Sequence, residues 1–401
     1  IDSRAESKTP SPSVAGPIMD PPSEPGPQPV VSIETDCASL SQRIDYVKSG
    51  TQSRSADIYR HALIERRKAG IYLRSFNQFA HSIVRLSEDG GPAEEMLVDL
   101  GPLSMLVGSI EGPVSVEIDF DEHEVRLRGP AKLDHRCQEP GEDIFISFPD
   151  VEGDYAEIED NKNLSDRVKR AATAVEEDAP QMRFRGVYVE SKDNQITLAG
   201  TNGTVITELT LQASIGLDES AILYGAFVDQ LCVVLEADNR PMMHFSDRHL
   251  ATANGDFVLV ASLMEAKFPN YRTLIDSVDE VDRIIVDRKR LMKALRVTKG
   301  YADEYQTVYL DFNSGDLTVT SVGSEQGTAS FTIPVEGDDL TVRLKASAMR
   351  MRQTIDPLAA NRIVIEVPTI EEPKRILLRP ENDDTAVSVL SLMFLQESDL
   401  S

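Results

Sequence analysis

A rhythm of strand, helix and several strands recurs three times along the chain, and a repeat of that size limits it to a small set of architectures. In the first block, alternation of apolar and polar residues predicts strands at 30–34, within 56–86, and at 114–120 and 124–128, with helices at 37–48 and 101–110. The second block offers helices at 164–177 and 224–236 and strands at 184–189, 195–199, 242–245 and 257–262. In the third, helices at 288–297 and 345–355 accompany strands at 307–312, 317–321, 363–367 and 375–378. Turn signals such as Asn313-Ser314-Gly315 join the strands. Three unrelated α+β domains would supply the same elements, but repetition favours one unit used three times. Such units place helices on one face, so they can surround a centre with their sheets outside and continuous across block boundaries.

The length of 401 residues exceeds what one core fills and suits two to four domains of roughly 100 to 200 residues. Residues 1–29, rich in Pro, Ser and Gly, cannot bury enough apolar area to fold and read as a flexible tail. The blocks then run 30–152, 153–272 and 273–401. Apolar residues make up 41% and mean hydropathy is −0.25, as in an ordinary soluble protein. No apolar run approaches the roughly 20 residues that cross a bilayer, and the first residues lack the charged start and apolar core of a secretion signal, so neither membrane nor export is expected.

Catalysis finds little support. Phosphate-loop, nucleophile-elbow and His-Glu-x-x-His patterns are absent. Cys37, Cys137 and Cys232 lie far apart and read as reduced intracellular thiols. His244 and His249 read as strand and turn rather than as a ligand pair. Asp119 with Asp121, and Asp383 with Asp384, sit beside turns, where carboxylates are common. No enzyme activity, cofactor or metal is expected.

A net charge of −26 argues at first against a nucleic-acid partner, because phosphate repels an acidic surface. The distribution matters more than the total. Arg288, Lys289, Arg290, Lys293, Arg296 and Lys299 crowd one predicted helix with Asp287 as the sole acid nearby. Arg343, Lys345, Arg350 and Arg352 form a second group, and Arg167, Lys169 and Arg170 a third. One isolated group would read as a solvated helix face. Three groups at equivalent places in repeated units suit a surface that tolerates DNA within a protein whose outside repels it.

Lys267-Phe268-Pro269-Asn270-Tyr271-Arg272-Thr273-Leu274-Ile275 closes one strand-rich block and opens the next. Arg183-Phe184-Arg185-Gly186-Val187-Tyr188-Val189-Glu190 leads without a gap to Gln195-Ile196-Thr197-Leu198-Ala199-Gly200-Thr201-Asn202-Gly203. Gly255-Asp256-Phe257-Val258 and Arg375-Ile376-Leu377-Leu378-Arg379-Pro380 follow in order. These segments resemble the bacterial-type DNA sliding clamp, the processivity subunit of replicative DNA polymerase. The resemblance covers residues 160–396 well and 30–150 weakly. It implies an α+β DNA-clamp fold of three similar domains, each with two helices and antiparallel sheets, closed into a ring by head-to-tail dimerisation.

The resemblance also implies partners: double-stranded DNA held without sequence preference, DNA polymerase, a clamp loader and short clamp-binding peptides. The ring lining would draw on Arg167, Lys169, Arg170, Arg288, Lys289, Arg290, Lys293, Arg296, Arg350 and Arg352. A partner-peptide groove would take Phe184, Thr201, Gly203, Thr204, Val205 and Ile206, with Pro269, Thr273 and Leu274 from the connector. Val389, Leu390, Ser391, Leu392, Met393, Phe394 and Leu395 would complete it as a final strand. Phe145 and Ile146 would meet Leu291 and Leu295 of a second copy. The chain departs from the family where His-Arg-Leu is usual, having Thr204-Val205-Ile206, and where a Met-Pro-Met-Arg-Leu-like ending is usual, having Ser391-Leu392-Met393-Phe394-Leu395. An acidic interaction scaffold that does not encircle DNA is the alternative, and the altered groove residues keep it open.

Overall fold

The computed structural model describes residues 30–51, 61–140, 153–215, 217, 220–237, 240–276, 280–323, 327–370 and 372–395. The expected tail at 1–29, Phe145, Ile146 and residues 396–401 lie outside them. Seven α-helices occur among the described residues: α1 Cys37–Ser49, α2 Leu100–Val107, α3 Asn161–Ala172, α4 Val228–Glu236, α5 Arg272–Asp276, α6 Arg288–Lys299 and α7 Ala348–Ile355. Apart from the single turn of α5, each predicted block holds two. One device starts three of them: an aspartate that ends the preceding strand, or directly follows it, accepts a free N–H of the first turn with its carboxylate. Asp36 accepts from Ser39, Asp99 from Gly101 and Asp287 from Arg290, at 2.8–2.9 Å.

The chain divides into two compact units. The first comprises Ile1–Ser165, Ser214–Leu217 and Phe227–Leu263. It holds a four-stranded antiparallel sheet in the order Val31–Asp36, Pro113–Asp119, Glu124–Arg128 and Lys132–Arg136. Its eight-stranded sheet runs Glu94–Val98, Ala62–Arg67, Gly70–Phe76, Ala80–Ser87, Phe257–Ser262, His249–Asn254, Met242–Phe245 and Ala156–Glu157. Pairing of Val84 with Phe257 therefore fuses strands of the first and second blocks into one sheet. Leu40 and Ile44 of α1 and Leu100 and Leu103 of α2 fill the core against Ile64, Leu73, Val116 and Leu127. Burying each such side chain contributes about 1.5–3 kcal/mol.

The second unit comprises Asp166–Ala213, Asp218–Ala226 and Met264–Ser401. Its nine-stranded sheet runs Ser220–Tyr224, Gly186–Lys192, Gln195–Thr201, Val205–Gln212, Ala386–Ser391, Arg375–Pro380, Arg362–Pro368, Val281–Asp287 and Glu336–Gly337. Here Val205 pairs with Leu390, and Thr207 and Ser388 share a buried hydroxyl contact at 3.1 Å. Strands of the second and third blocks thus form one sheet, as expected from sheets continuous across block boundaries. A four-stranded sheet completes the unit in the order Gly327–Pro334, Asp316–Gly323, Thr307–Asn313 and Thr341–Ser347.

The repeat extends to single hydrogen bonds. Ser262, Leu263 and Met264 donate their N–H groups to the carbonyls of Phe79, Arg248 and Ile222 at 2.7–2.9 Å. Ser391, Leu392 and Met393 donate to Thr204, Lys374 and Lys345 at 2.8–2.9 Å. Asn77 and Asn202 play matching parts, each side-chain carbonyl accepting two N–H groups that follow in the chain.

Several sequence expectations change. Residues 345–347 belong to the strand Thr341–Ser347 and not to a helix, because Leu344 and Ala346 alternate into the core while Lys345 pairs with Tyr309. The last strand stops at Ser391, where Leu392 and Met393 bond to two different segments. Phe184 closes a 3-10 turn, Met182–Phe184, ahead of the strand that begins at Gly186. Tyr224 ends a strand rather than starting a helix.

Candidate partner-peptide groove and basic helix

In the second unit the connector docks through its aromatic residues. Tyr271 is buried in an apolar cluster with Ala199, Ile206, Leu377, Val387 and Val389, and Tyr188, Phe268 and Ile275 pack against it. The Phe268 ring stacks on Tyr188 at 4.9 Å and meets Tyr271 edge-on at 5.7 Å. The Tyr271 hydroxyl donates to Glu208 at 2.5 Å, and Arg272 pairs with Glu190 and, at 3.7 Å, with Glu208. Burial, then the Glu208 charge, pushes the Tyr271 phenol well above its ordinary range. The hydrogen bond from Arg272 holds Glu190 below the ordinary carboxylate value. Beside this anchor, Pro269 lines an open cleft of about 680 Å³ with Tyr188, Ile222, Met264 and Phe268.

The turn after Gln195–Thr201 carries the next group of expected groove residues. Gly203 has φ +88°, which L side chains rarely adopt, and a methyl group there would lie 3.3 Å from the Phe184 ring. The Thr201 hydroxyl donates to the Val205 carbonyl at 2.7 Å and accepts from the Gly203 N–H at 3.1 Å, so the turn is tied on both sides. Phe184 and Gly203 are thus brought together. Val205 and Leu390 are fully buried and Val389 and Ile206 nearly so; these residues support the sheet and leave little surface for a ligand. Leu274 and Phe394, by contrast, are 37% and 77% exposed.

Met393 sits between segments. Its N–H donates to the Lys345 carbonyl at 2.8 Å and its sulfur takes the Thr307 hydroxyl at 4.0 Å. Exposed Met182 and Met349, both missed by the sequence reading, lie on the 3-10 turn and on α7. Methionine in a pattern of buried and exposed positions gives no local sign of which will end at the surface.

The expected lining residues separate into two sets. Arg167 donates to Thr385, Arg170 to the Pro357 carbonyl and Asp166, and Arg350 to Gln353 at 3.0 Å. Arg288 faces Asp356 at 3.7 Å, and Arg352 is half-buried. Arg167, Arg170, Arg288 and Arg350 are thus turned onto their own unit. On α6, Leu291, Ala294, Leu295 and Thr298 are buried at the spacing of one helical face, while Lys289, Arg290, Lys293 and Arg296 are exposed. Lys293 lies over the Phe331 ring at 5.9 Å. Lys169 of α3 is also exposed. Leu291 and Leu295, expected to meet a second copy, are 0% exposed and belong to the core beneath α6. Among the described residues no group of three or more His, Cys, Asp or Glu side chains could hold a metal ion, and no helix is long and apolar enough to cross a membrane.

No protein-family model matches the chain. It is 22% identical over 209 residues to the beta sliding clamp of Chlamydia muridarum, a match covering 50% of this chain and 56% of that protein. The match thus spans little more than half of that relative's length. Against the beta sliding clamp of Pseudomonas putida it is 19% identical over 317 residues, covering 77% and 84%. The fold matches the crystal structure of DNA polymerase III beta subunit from Thermotoga maritima with a TM-score of 0.81 at 14% identity, covering 91% of this chain and all of that one. A Pseudomonas aeruginosa sliding clamp bound to griselimycin matches with a TM-score of 0.76 at 17% identity, covering 92% of this chain and 100% of that one.

The architecture is therefore α+β and is the DNA-clamp fold. With the sequence matches, it makes the chain a divergent relative of the bacterial beta sliding clamps.

Proposed function

We propose that the chain is a DNA polymerase processivity factor. Its clamp domains would be 30–152, 153–272 and 273–401, and two copies would close head to tail around double-stranded DNA. Exposed Lys289, Arg290, Lys293 and Arg296 carry this reading, as a cationic face without ion-pair partners among the described residues in a chain of net charge −26. Such a face attracts phosphate weakly and without sequence preference, which permits sliding. Closure would use the open edges of the strands Lys132–Arg136 and Gly327–Pro334 in different copies, since each is an outer strand of its four-stranded sheet. A clamp loader would open the ring in the cytoplasm. No catalytic step is assigned.

The second part of the reading is tethering. Phe184, Gly203, Pro269, Leu274, Met393 and Phe394 would seat short apolar peptides of polymerase and repair factors. Methionine and aromatic side chains at such a seat can repack around related anchors.

The deciding measurement is retention on nicked circular DNA against the same DNA linearised, with the cognate loader supplied and washes at high salt. Salt-resistant retention on circles alone is the expected result. Equal loss from both templates, with a loader shown to be active, sinks the clamp reading. A scaffold that does not encircle DNA would then stand, a reading favoured by the engagement of Arg167, Arg170, Arg288 and Arg350 with their own unit.

A further inference from the structure

Five described residues other than glycine have positive φ, and four of them, His123, Asp193, Asn194 and Ser314, lie in hairpin turns between paired strands. The fifth, Gln306 at φ +55°, does not; it joins the end of α6 to the strand Thr307–Asn313. Its side-chain carbonyl is buried and lacks a hydrogen-bond partner among the described residues. A left-handed backbone at a long side chain and an unpaired buried acceptor are each costly, and both fall on one residue.

The surroundings hold this conformation in place. The Gln306 N–H donates to the Asp303 main-chain carbonyl at 3.0 Å, the Gln306 main-chain carbonyl accepts the Ala348 N–H that opens α7 at 2.8 Å, and the next N–H, of Thr307, donates to Asp303 Oδ1 at 2.8 Å. The Thr307 hydroxyl reaches the Met393 sulfur at 4.0 Å. Three exposed apolar side chains adjoin this frame in sequence: Tyr305, 67% exposed, precedes Gln306; Met349, 41%, follows Ala348; Phe394, 77%, follows Met393. Backbone strain that persists because its neighbours over-determine it gathers at ligand clamps.

We infer that Gln306 is a positioning residue for one end of the peptide groove, its strained backbone fixing Tyr305, Met349 and Phe394 as a preformed seat for an apolar or aromatic peptide anchor. This rests on the tethering part of the proposed function. Preorganisation raises affinity by removing the cost of ordering the seat on binding.

The test compares the wild-type full chain with Q306G, Q306N and Q306A for thermal midpoint and for griselimycin affinity by calorimetry. Glycine adopts the left-handed conformation freely and removes the unpaired carbonyl, so Q306G should raise the midpoint by about 2–4 °C and weaken griselimycin roughly fivefold or more. Asparagine tolerates the same backbone and should keep affinity within about twofold of wild type. Alanine removes the unpaired carbonyl but keeps the left-handed strain, so Q306A should gain less in midpoint than Q306G. Q306G binding as tightly as wild type, or losing stability, overturns the inference while leaving the groove reading intact. A wild-type chain that leaves griselimycin unbound sinks the groove reading and this inference together; a raised midpoint in Q306G would then locate strain without a ligand role.

Discussion

The Tyr271 hydroxyl donates to a Glu208 carboxylate oxygen at 2.5 Å from within an apolar cluster, so this charged hydrogen bond and a buried ring hold the connector to the sheet beside the Arg272–Glu190 pair. Phenylalanine keeps the ring and leaves Glu208 short of a partner. Y271F should cost about 1.5–3 kcal/mol in urea unfolding of the full chain. A midpoint unchanged from wild type would show that this hydrogen bond adds nothing to the hold of the ring and of the Arg272–Glu190 pair.

The neighbouring pair gives a pH signature. Glu190 has an ordinary value of 4.5 that its bond to Arg272 lowers on folding. A carboxylate lowered in the folded state adds stability that is fully present above the ordinary value and lost as pH falls through the lowered one. E190Q should therefore lower stability at pH 7 and flatten its decline below about pH 4.5. Parallel pH profiles for the two proteins would contradict this assignment.

Gly203 answers a conformational requirement and a steric one, since its φ is +88° and the Phe184 ring lies where a methyl group would go. G203A should cost about 1–3 kcal/mol. Its amide exchange should rise at Thr204 and Val205, which both bond to Asn202. Exchange unchanged at these amides would place the cost elsewhere.

Thr207 and Ser388, both 0% exposed, share a hydroxyl hydrogen bond across the strands that join the second and third blocks. T207V or S388A alone should cost about 1–3 kcal/mol, because the remaining hydroxyl is buried unpaired. The double variant should cost less than the sum of the two, and additivity in a double-mutant cycle would refute the coupling.

The two faces of α6 should respond in opposite ways. L295A, in the core, should lose about 2–5 kcal/mol. K293E with R296E, both exposed, should leave stability within about 0.5 kcal/mol and abolish loader-dependent retention on circular DNA. Retention equal to wild type would remove α6 from the DNA-facing surface.

Much of the fold was legible because local chemistry dictated it. Asp36, Asp99 and Asp287 mark helix starts, and period-two alternation marks the strands Thr307–Asn313 and Asp316–Gly323. Strands such as Gly327–Pro334 escaped detection because an edge strand exposed on much of its length lacks a clean apolar alternation. Residues 345–347 were misread because a basic, helix-favouring stretch outweighed the alternation of Leu344 and Ala346, which pairing with Thr307–Asn313 enforces. Within the candidate groove, Phe184, Gly203 and Leu274 could be named from motif alone, whereas Met182, Met349 and Gln306 became visible only through exposure and strain.

The sequence by itself determined the repeated units, the connector and the amphipathic character of α6, since each depends on residues near one another in the chain. Only tertiary structure decided that Leu291 and Leu295 are core, that four arginines turn onto their own unit, and that strands far apart in sequence pair as Val205 with Leu390. Pairing partners and side-chain burial are set by long-range packing, where a residue's neighbours are chosen by the whole fold and not by its place in the chain.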